Sequence, residues 1–236
     1  MVLMLNVCLG HLIGDFLLQP GWMVVAKRRG LPGLFGHSLV IMLCTAAVLA
    51  SDLAWVWWVV ALAGAAHLLI EVVTITLRQR LSLSGAAVFT LDQLLHFASL
   101  ACIVWIAGPE IWQAATHTFT FELAPAQIAL ADGLLFVTVL GSILVFEIDH
   151  VAGVEERAIL PYDVPRFLGM AERGAALLAA VVVHPAFALV PFVPRAVGAA
   201  MVTETARRRR IVDLASGVAL SALAYCFIIA VGTLSR

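Results

Sequence analysis

The chain has 236 residues, of which 63% are hydrophobic and 12% charged, and its formal net charge is −1. Soluble globular domains carry about 25% charged residues, and a soluble domain of this length could not bury so much apolar surface. The composition therefore excludes an ordinary soluble domain and predicts an all-α, polytopic transmembrane helix bundle.

Eight apolar stretches follow one another along the chain, and a perpendicular membrane span needs about 20 residues. They cover Val2–Leu18, Leu34–Ala50, Leu53–Leu77, Ala86–Ala107, Ile128–Phe146, Phe167–Val183, Ala186–Val202 and Ile211–Leu234. Since only two residues separate the sixth stretch from the seventh, these form either one kinked helix or a hairpin. We expect about six to eight spans in a single domain (1–236), with a motif-bearing four-helix part at 1–107 and supporting helices at 128–236.

Basic residues mark one side of the predicted bundle. They are Lys27, Arg28 and Arg29 after the first stretch, Arg78 and Arg80 after the third, Arg157 and Arg166 after the fifth, and Arg207–Arg210 before the last. Because cytoplasmic loops are enriched in Lys and Arg, we expect these basic loops to be cytoplasmic and the N-terminus to lie outside. Residues 167–202 must then begin and end on the same side of the membrane. This predicts a helical hairpin or re-entrant pair that turns near His184–Pro194, the one place where proline breaks a helix.

Histidines and carboxylates recur at helical spacing in the first four stretches. Three pairs lie four residues apart, and a further histidine opens the second stretch: His11 with Asp15, His67 with Glu71, Asp92 with His96, and His37. That spacing places both members of a pair on one helix face. Counted from the predicted cytoplasmic helix ends at 1.5 Å per residue, they would lie within roughly 5–15 Å of one face. Ionisable groups are costly at membrane depth, so this shared layer indicates a functional site.

Imidazole and carboxylate groups together favour a divalent metal, most of all zinc, with manganese or iron as alternatives. The candidate ligands are His11, Asp15, His37, His67, Glu71, Asp92 and His96. A metal lowers the pKa of bound water toward neutrality, and Asp15, Glu71 or Asp92 would act as ligand or general base. The candidate substrate-binding residues are Gln19, Lys27 and Gln93. Lys27 would hold a phosphate or carboxylate head group, unless it only sets the topology.

Two other functions fit the same residues. Polar side chains can join membrane helices without catalysis, as in a membrane scaffold, and buried carboxylates also line the paths of ion- or proton-coupled transporters. Outside the layer, we expect Glu147, Asp149 and His150 to form a solvated helix end and His117 and His184 to be solvated or capping.

The motifs resemble a bacterial family of integral membrane proteins, the domain-of-unknown-function 3307 family. That family has HxxxDFxxQ, then a Lys, a His, HxxxD and DQxxH. The corresponding residues are His11, Asp15, Phe16 and Gln19; Lys27; His37; His67 and Glu71; and Asp92, Gln93 and His96. Glu71 stands where Asp is usual and can serve the same role with a longer reach. Glu172 and Arg173 are similar to a Glu-Arg pair that starts a helix in the C-terminal part of that family.

A more distant resemblance is to inner-membrane-bound metal-dependent hydrolases. These have a His-Ser dipeptide opening a helix and a later HxxxD, as in His37-Ser38 and in His67 with Glu71. The resemblance implies metal-assisted hydrolysis. In the bacterial inner membrane we expect a lipid-linked or membrane-delivered substrate, either a lipid-linked compound or a small molecule. We accordingly expect membrane lipids and that substrate as partners, no nucleic acid, and leave a homo-oligomer open.

Overall fold

The computed structural model describes residues 1–81, 83–151, 163–201 and 203–234, and its regular elements there are all helical. The α-helices are α1 (Val2–Leu12), α2 (Gly21–Arg29), α3 (Leu31–Val48), α4 (Leu53–Arg80), α5 (Gly85–Ala114), α6 (Pro125–Leu135), α7 (Gly141–Val151), α8 (Val164–Leu178), α9 (Val193–Ala199) and α10 (Glu204–Leu234). Short π-helices cover Ile13–Leu17, Phe136–Leu140 and Ala179–Val183, and a 3₁₀-helix covers Pro185–Phe192. The predicted all-α bundle is confirmed. Arg157 lies outside the described residues.

Five of the described helical segments are long and apolar enough to cross a membrane. They are Leu31–Val48, Leu53–Arg78, Gly85–Ala114, Pro125–Val151 and Arg210–Leu234. A sixth is added if Val2–Leu17 and Gly21–Arg29, which meet at 91°, count as one span. Large apolar side chains point outward from these helices, and Trp105 is 73% exposed, as lipid-facing residues are. The chain is a multi-pass membrane protein with five or six candidate spans, at or just below the low end of the predicted six to eight.

The described chain divides into two compact units. The first contains Met1–Leu83 and Ala87–Asp132, and the second contains Ser84–Ala86 and Gly133–Arg236. In the first unit, α3 packs against α1, α2 and α4, and α5 joins through side-chain contacts. α5 is interrupted at Gly108, whose φ of 78° only glycine adopts readily, one residue beyond the predicted end of the fourth stretch.

Glycines allow α1 and α3 to approach closely. A Cβ atom at Gly10 would lie 2.5 Å from Thr45 Cα, and one at Gly14 would lie 2.8 Å from Ile41 Cα. Small residues at such crossings let membrane helices make backbone contact. This contact fixes the register between the first helix and α3, and so between the histidines that they carry.

The first span breaks directly beside its ionisable pair, which the sequence did not predict. Ile13–Leu17 is a π-helix, closed by the Leu18 amide donating to the Ile13 carbonyl at 2.9 Å. α2 then starts after Pro20 at 91° to the first helix. A π-helix holds one extra residue per turn and needs no proline or glycine. The expectation that only the Pro185–Pro194 region is broken was therefore wrong.

In the second unit, the C-terminal hairpin is confirmed within the described residues. α8 and its π-helix end at Val183, His184 is extended, and the 3₁₀-helix and α9 return along α8. Arg195 of α9 donates to Glu172 Oε2 of α8 at 2.7 Å, a pairing that only an antiparallel return allows. His184 caps the return, since its Nδ1 accepts from the Ala186 amide at 3.2 Å.

Buried charges hold the second unit together, and two expectations about them were wrong. Asp149 is buried rather than part of a solvated helix end, and it lines a pocket with Arg173 and Asp213. Glu172 and Arg173 lie in the middle of α8, not at its start. The Arg173 Nε atom donates to the Val137 carbonyl at 2.6 Å, within a π-helix whose carbonyls are displaced from the α-helical bonding pattern.

Candidate metal centre

Five helical segments of the first unit bring the seven predicted ligands into one continuous cluster. The ligands are His11 from α1, Asp15 from the π-helix, His37 from α3, His67 and Glu71 from α4, and Asp92 and His96 from α5. All four imidazoles are at most 2% exposed. Side chains distant in sequence thus share one buried volume, while the ligand and catalytic roles assigned to them stay predictions.

The three pairs at i, i+4 face each other at similar separations. The Nε2–carboxylate distances are 3.7 Å for His11–Asp15, 3.8 Å for His67–Glu71 and 3.5 Å for His96–Asp92. An N–H···O hydrogen bond is about 2.9 Å long, so these distances are long for hydrogen bonds. Two ligands on one tetrahedral zinc, each about 2.1 Å from the ion, lie about 3.4 Å apart. The pairs therefore have a spacing that suits ions better than direct hydrogen bonds.

Three of the imidazoles form the strongest candidate ligand group. One ring nitrogen each from His11, His67 and His96 lies within 4.8 Å of the other two, and the rings of His67 and His96 stack at 4.2 Å. His11 Nε2, His96 Nε2 and both nitrogens of His67 are buried without a hydrogen-bond partner. Each such atom costs about 1–3 kcal/mol when left unsatisfied, and one shared metal ion would remove this cost for three of the four, one nitrogen per ring.

A second group shares His67 but is already hydrogen-bonded. Asp15, His37, His67 and Glu71 also offer ligand atoms within 4.8 Å of one another. His37 Nε2, however, lies 3.0 Å from Asp15 Oδ1, and Glu71 forms an ion pair with Lys27. Gln19 Nε2 donates to the same Asp15 oxygen at 3.2 Å. Fewer atoms need a partner here, so the three-imidazole group is the better place for an ion.

The charge of the cluster fits one divalent cation. Three carboxylates, Asp15, Glu71 and Asp92, face a single ammonium group, that of Lys27, among the described residues in contact with them. Neutral histidines then leave two negative charges uncompensated. Unbalanced charge is costly at membrane depth, and one dication would balance this cluster where two would not.

Two side chains orient Asp92, and sequence analysis missed one of them. Thr74 Oγ1 donates to Asp92 Oδ1 at 2.8 Å. Gln93 Nε2 donates to Asp92 Oδ2 at 3.0 Å and to Asp15 Oδ2 at 3.4 Å. Thr74 lies one turn after Glu71 on the same face of α4, so its helical spacing from the His67–Glu71 pair could have identified it. Gln19 and Gln93 therefore hold the carboxylates, and their predicted contact with substrate stays a prediction.

Polar contacts close the end of the first unit that lies away from the cluster. Thr118 Oγ1 donates to Asn6 Oδ1 at 2.7 Å, and His117 Nδ1 lies 3.0 Å from Asp52 Oδ1. A layer of buried apolar side chains packs at this end of the unit: Leu3, Val7, Leu49, Val56, Val59, Val60, Ala63, Leu100, Ile103 and Val104. His117 belongs to the seal, apart from the candidate centre.

The fold and the cluster define a polytopic helical membrane protein with a buried histidine–carboxylate centre held by its N-terminal helices. A family model described as "Protein of unknown function (DUF3307)" matches residues 2–123. The chain belongs to this family, as its motifs predicted, and the match contains every member of the cluster. It ends before Glu172 and Arg173. No curated protein and no solved structure matches the chain, and the resemblance to metal-dependent hydrolases stays a prediction.

Proposed function

We propose that this protein is a membrane-embedded, metal-dependent hydrolase of the bacterial inner membrane, with its N-terminus outside. One divalent ion, most favourably zinc, would be held by His11, His67 and His96. The observation that carries the proposal is the set of buried ring nitrogens without hydrogen-bond partners, which converge beside carboxylates. The charge balance of the cluster with one dication supports it.

The chain's own residues supply the other parts of a hydrolytic site. A bound metal would lower the pKa of a water and polarise the substrate. Asp92 is the most exposed carboxylate of the cluster, at 17% of its side chain, and Thr74 and Gln93 fix its two oxygens. We therefore assign Asp92 as the base that accepts a proton from water. Asp15 orients His37, and Glu71 holds Lys27.

Access from one side favours hydrolysis over transport. The apolar layer and the Asn6–Thr118 contact close one end of the first unit, whereas Lys27 and Asp92 keep partial exposure at the other end. By the distribution of basic residues, that other end faces the cytoplasm. The substrate would accordingly be lipid-linked or membrane-delivered, and it would enter from the cytoplasm or inner leaflet.

Metal analysis of the purified protein tests the proposal. We expect about one divalent ion per chain in the wild type and at least about 10–100-fold weaker binding in His11→Ala, His67→Ala and His96→Ala. His117→Ala is the matched control, because this histidine lies outside the cluster, and it should keep the ion. Hydrolysis of chromogenic phosphate and carboxylate esters should disappear with a chelator and return with zinc. If the wild type holds no metal and hydrolyses no ester, the hydrolase proposal is wrong, and a scaffold whose polar groups join helices would explain the cluster.

A second candidate, an ion- or proton-coupled transporter, is favoured by two observations. Transporters use broken helices around their sites, and the first span breaks at residues 18–20, just after Asp15. Asp132 of α6 is buried at membrane depth, and neither of its carboxyl oxygens has a hydrogen-bond partner among the described residues. An unpaired carboxyl in such a place is typical of proton carriers.

Labelling of single cysteines separates the two candidates. In a background without the four native cysteines, Gly36→Cys reports on the cluster side, where a side chain has room, and Glu122→Cys reports on the sealed side, where its side chain is 82% exposed. A hydrolase with one-sided access predicts that impermeant thiol reagents reach Gly36→Cys only from the cytoplasm. Labelling from both sides that shifts with pH or with an added ion would favour the transporter.

A further inference from the structure

Lys27 is turned into the candidate metal centre. Its helix α2 meets the first span at 91°, which directs this side chain over the cluster, where it forms an ion pair with Glu71. The Lys27 side chain is only 13% exposed, whereas its neighbours Arg28 and Arg29 are exposed. A lysine that only sets the topology would be solvated like these two arginines. Its position therefore needs another explanation.

The ion pair of Lys27 lies at the edge of the cluster, where its partner can be exchanged. Glu71 Oε1 lies 3.7 Å from His37 Nε2 and 3.8 Å from His67 Nε2, so this carboxylate has other groups to face when it leaves Lys27. The half-buried Gln19 amide near the same edge donates to Asp15 Oδ1 at 3.2 Å and lies 3.1 Å from His37 Nε2, so it too would exchange a partner to bind an anion. An ammonium beside an amide donor suits a phosphate or a carboxylate.

The helix that carries Lys27 and the residues just before it expose apolar side chains. Trp22 on α2 is 67% exposed, and Leu18, just before α2, is 49% exposed. A short helix with outward apolar residues and a basic end, lying across the direction of the first span, is typical of the membrane interface. An amphiphile could rest its chains against these side chains while its head group reaches Lys27.

We propose that Lys27 exchanges Glu71 for the anionic head group, phosphate or carboxylate, of an amphiphilic substrate, with the ammonium of Lys27 and the amide of Gln19 as donors. The identification of this anion as a substrate rests on the proposed function, whereas the binding itself does not. Exchange distinguishes this role from a structural ion pair. If Glu71 competes with the anion, removing its charge must strengthen anion binding, and a purely structural pair predicts no such gain.

The experiment measures anion binding by thermal stabilisation of the full chain in a non-ionic detergent with zinc present. The probes are dihexanoyl phosphatidic acid, dihexanoyl phosphatidylcholine and inorganic phosphate. We expect phosphatidic acid to stabilise the wild type and Arg28→Met alike. It should bind about ten-fold tighter to Glu71→Gln and should not stabilise Lys27→Met. Lys27→Arg should keep part of the binding, because it keeps the charge.

Two further arms keep the result interpretable. If Lys27→Met fails to fold because Glu71 is left unpaired, the double variant Lys27→Met/Glu71→Gln removes both charges and should fold without binding the probe. Binding to Lys27→Met as tight as to the wild type, or weaker binding to Glu71→Gln, would overturn the proposal. Equal binding of inorganic phosphate would overturn the amphiphile as the source of the anion. Metal content and ester hydrolysis, measured on the same samples, report separately on the proposed function.

Discussion

Asp92 is held in position by two side chains that are not themselves candidate metal ligands. Its two oxygens accept from Thr74 and Gln93, at 2.8 and 3.0 Å, and one of them lies 3.5 Å from His96 Nε2. Groups that orient metal ligands and bases in this way typically contribute 10–100-fold to metal affinity or activity. The hydroxyl of Thr74 should therefore matter although it touches neither metal nor substrate.

We expect Thr74→Val to weaken metal binding or ester hydrolysis about ten-fold while lowering the free energy of unfolding by only about 0.5–1.5 kcal/mol. Metal titration and thermal unfolding of the purified protein measure the two effects. Thr76→Val is the matched control, because the Thr76 hydroxyl donates to the Val72 carbonyl of its own helix. Equal effects of the two substitutions would mean that Thr74 serves only helix stability.

At the element scale, the close contact between the first helix and α3 positions two sides of the cluster. Gly14 precedes Asp15 in the π-helix, and Gly36 precedes His37 in α3, yet their surroundings differ. A Cβ at Gly14 would lie 2.8 Å from the Ile41 Cα, a backbone atom that cannot move aside, whereas nothing lies within 4 Å of a Cβ at Gly36. The two glycines therefore form a matched pair beside the site.

We expect Gly14→Ala to lower the free energy of unfolding by about 1–3 kcal/mol, since it forces the two helices apart, and to reduce metal binding as Asp15 and His37 separate. Gly36→Ala should stay within about 0.5 kcal/mol of the wild type. Thermal unfolding in detergent and metal analysis check both. A tolerated Gly14→Ala would contradict the close packing of α1 and its π-helix on α3.

For the whole molecule, the hairpin of α8 and α9 decides how often the chain crosses the membrane. Because the hairpin returns on itself, the loops before α8 and before α10 should share a side. Reporter fusions after Arg29, Arg80, Arg166 and Arg210 should all report the cytoplasm under the positive-inside rule. An outside report at Arg210 alone would mean that the hairpin crosses only once, and an outside report at all four would invert the orientation.

The membrane class, the family and the members of the cluster could all be predicted from patterns along the chain. Composition and apolar length reflect the solvent in which a chain folds, and the i, i+4 spacing of His67 with Glu71 follows from helix geometry alone. Even the hairpin could be inferred, because basic residues on both sides of residues 167–202 had to share one side. These are local or additive properties, which a single chain displays without its contacts.

The division of the cluster into a three-imidazole group and a hydrogen-bonded group could be seen only in the folded chain. The π-helix at Asp15 contains Gly14 and is followed by Pro20, but no sequence pattern distinguished it from an α-helix, and the turn after it places Lys27 beside Glu71. Which nitrogens lack partners, and that Thr74 holds Asp92, depend on contacts between helices far apart in sequence. Asp149 is similar, since its burial follows from the packing around α7 and not from its position at a helix end. Spacing along one helix fixes a face, whereas a partner on another helix is fixed by how closely the two helices pack.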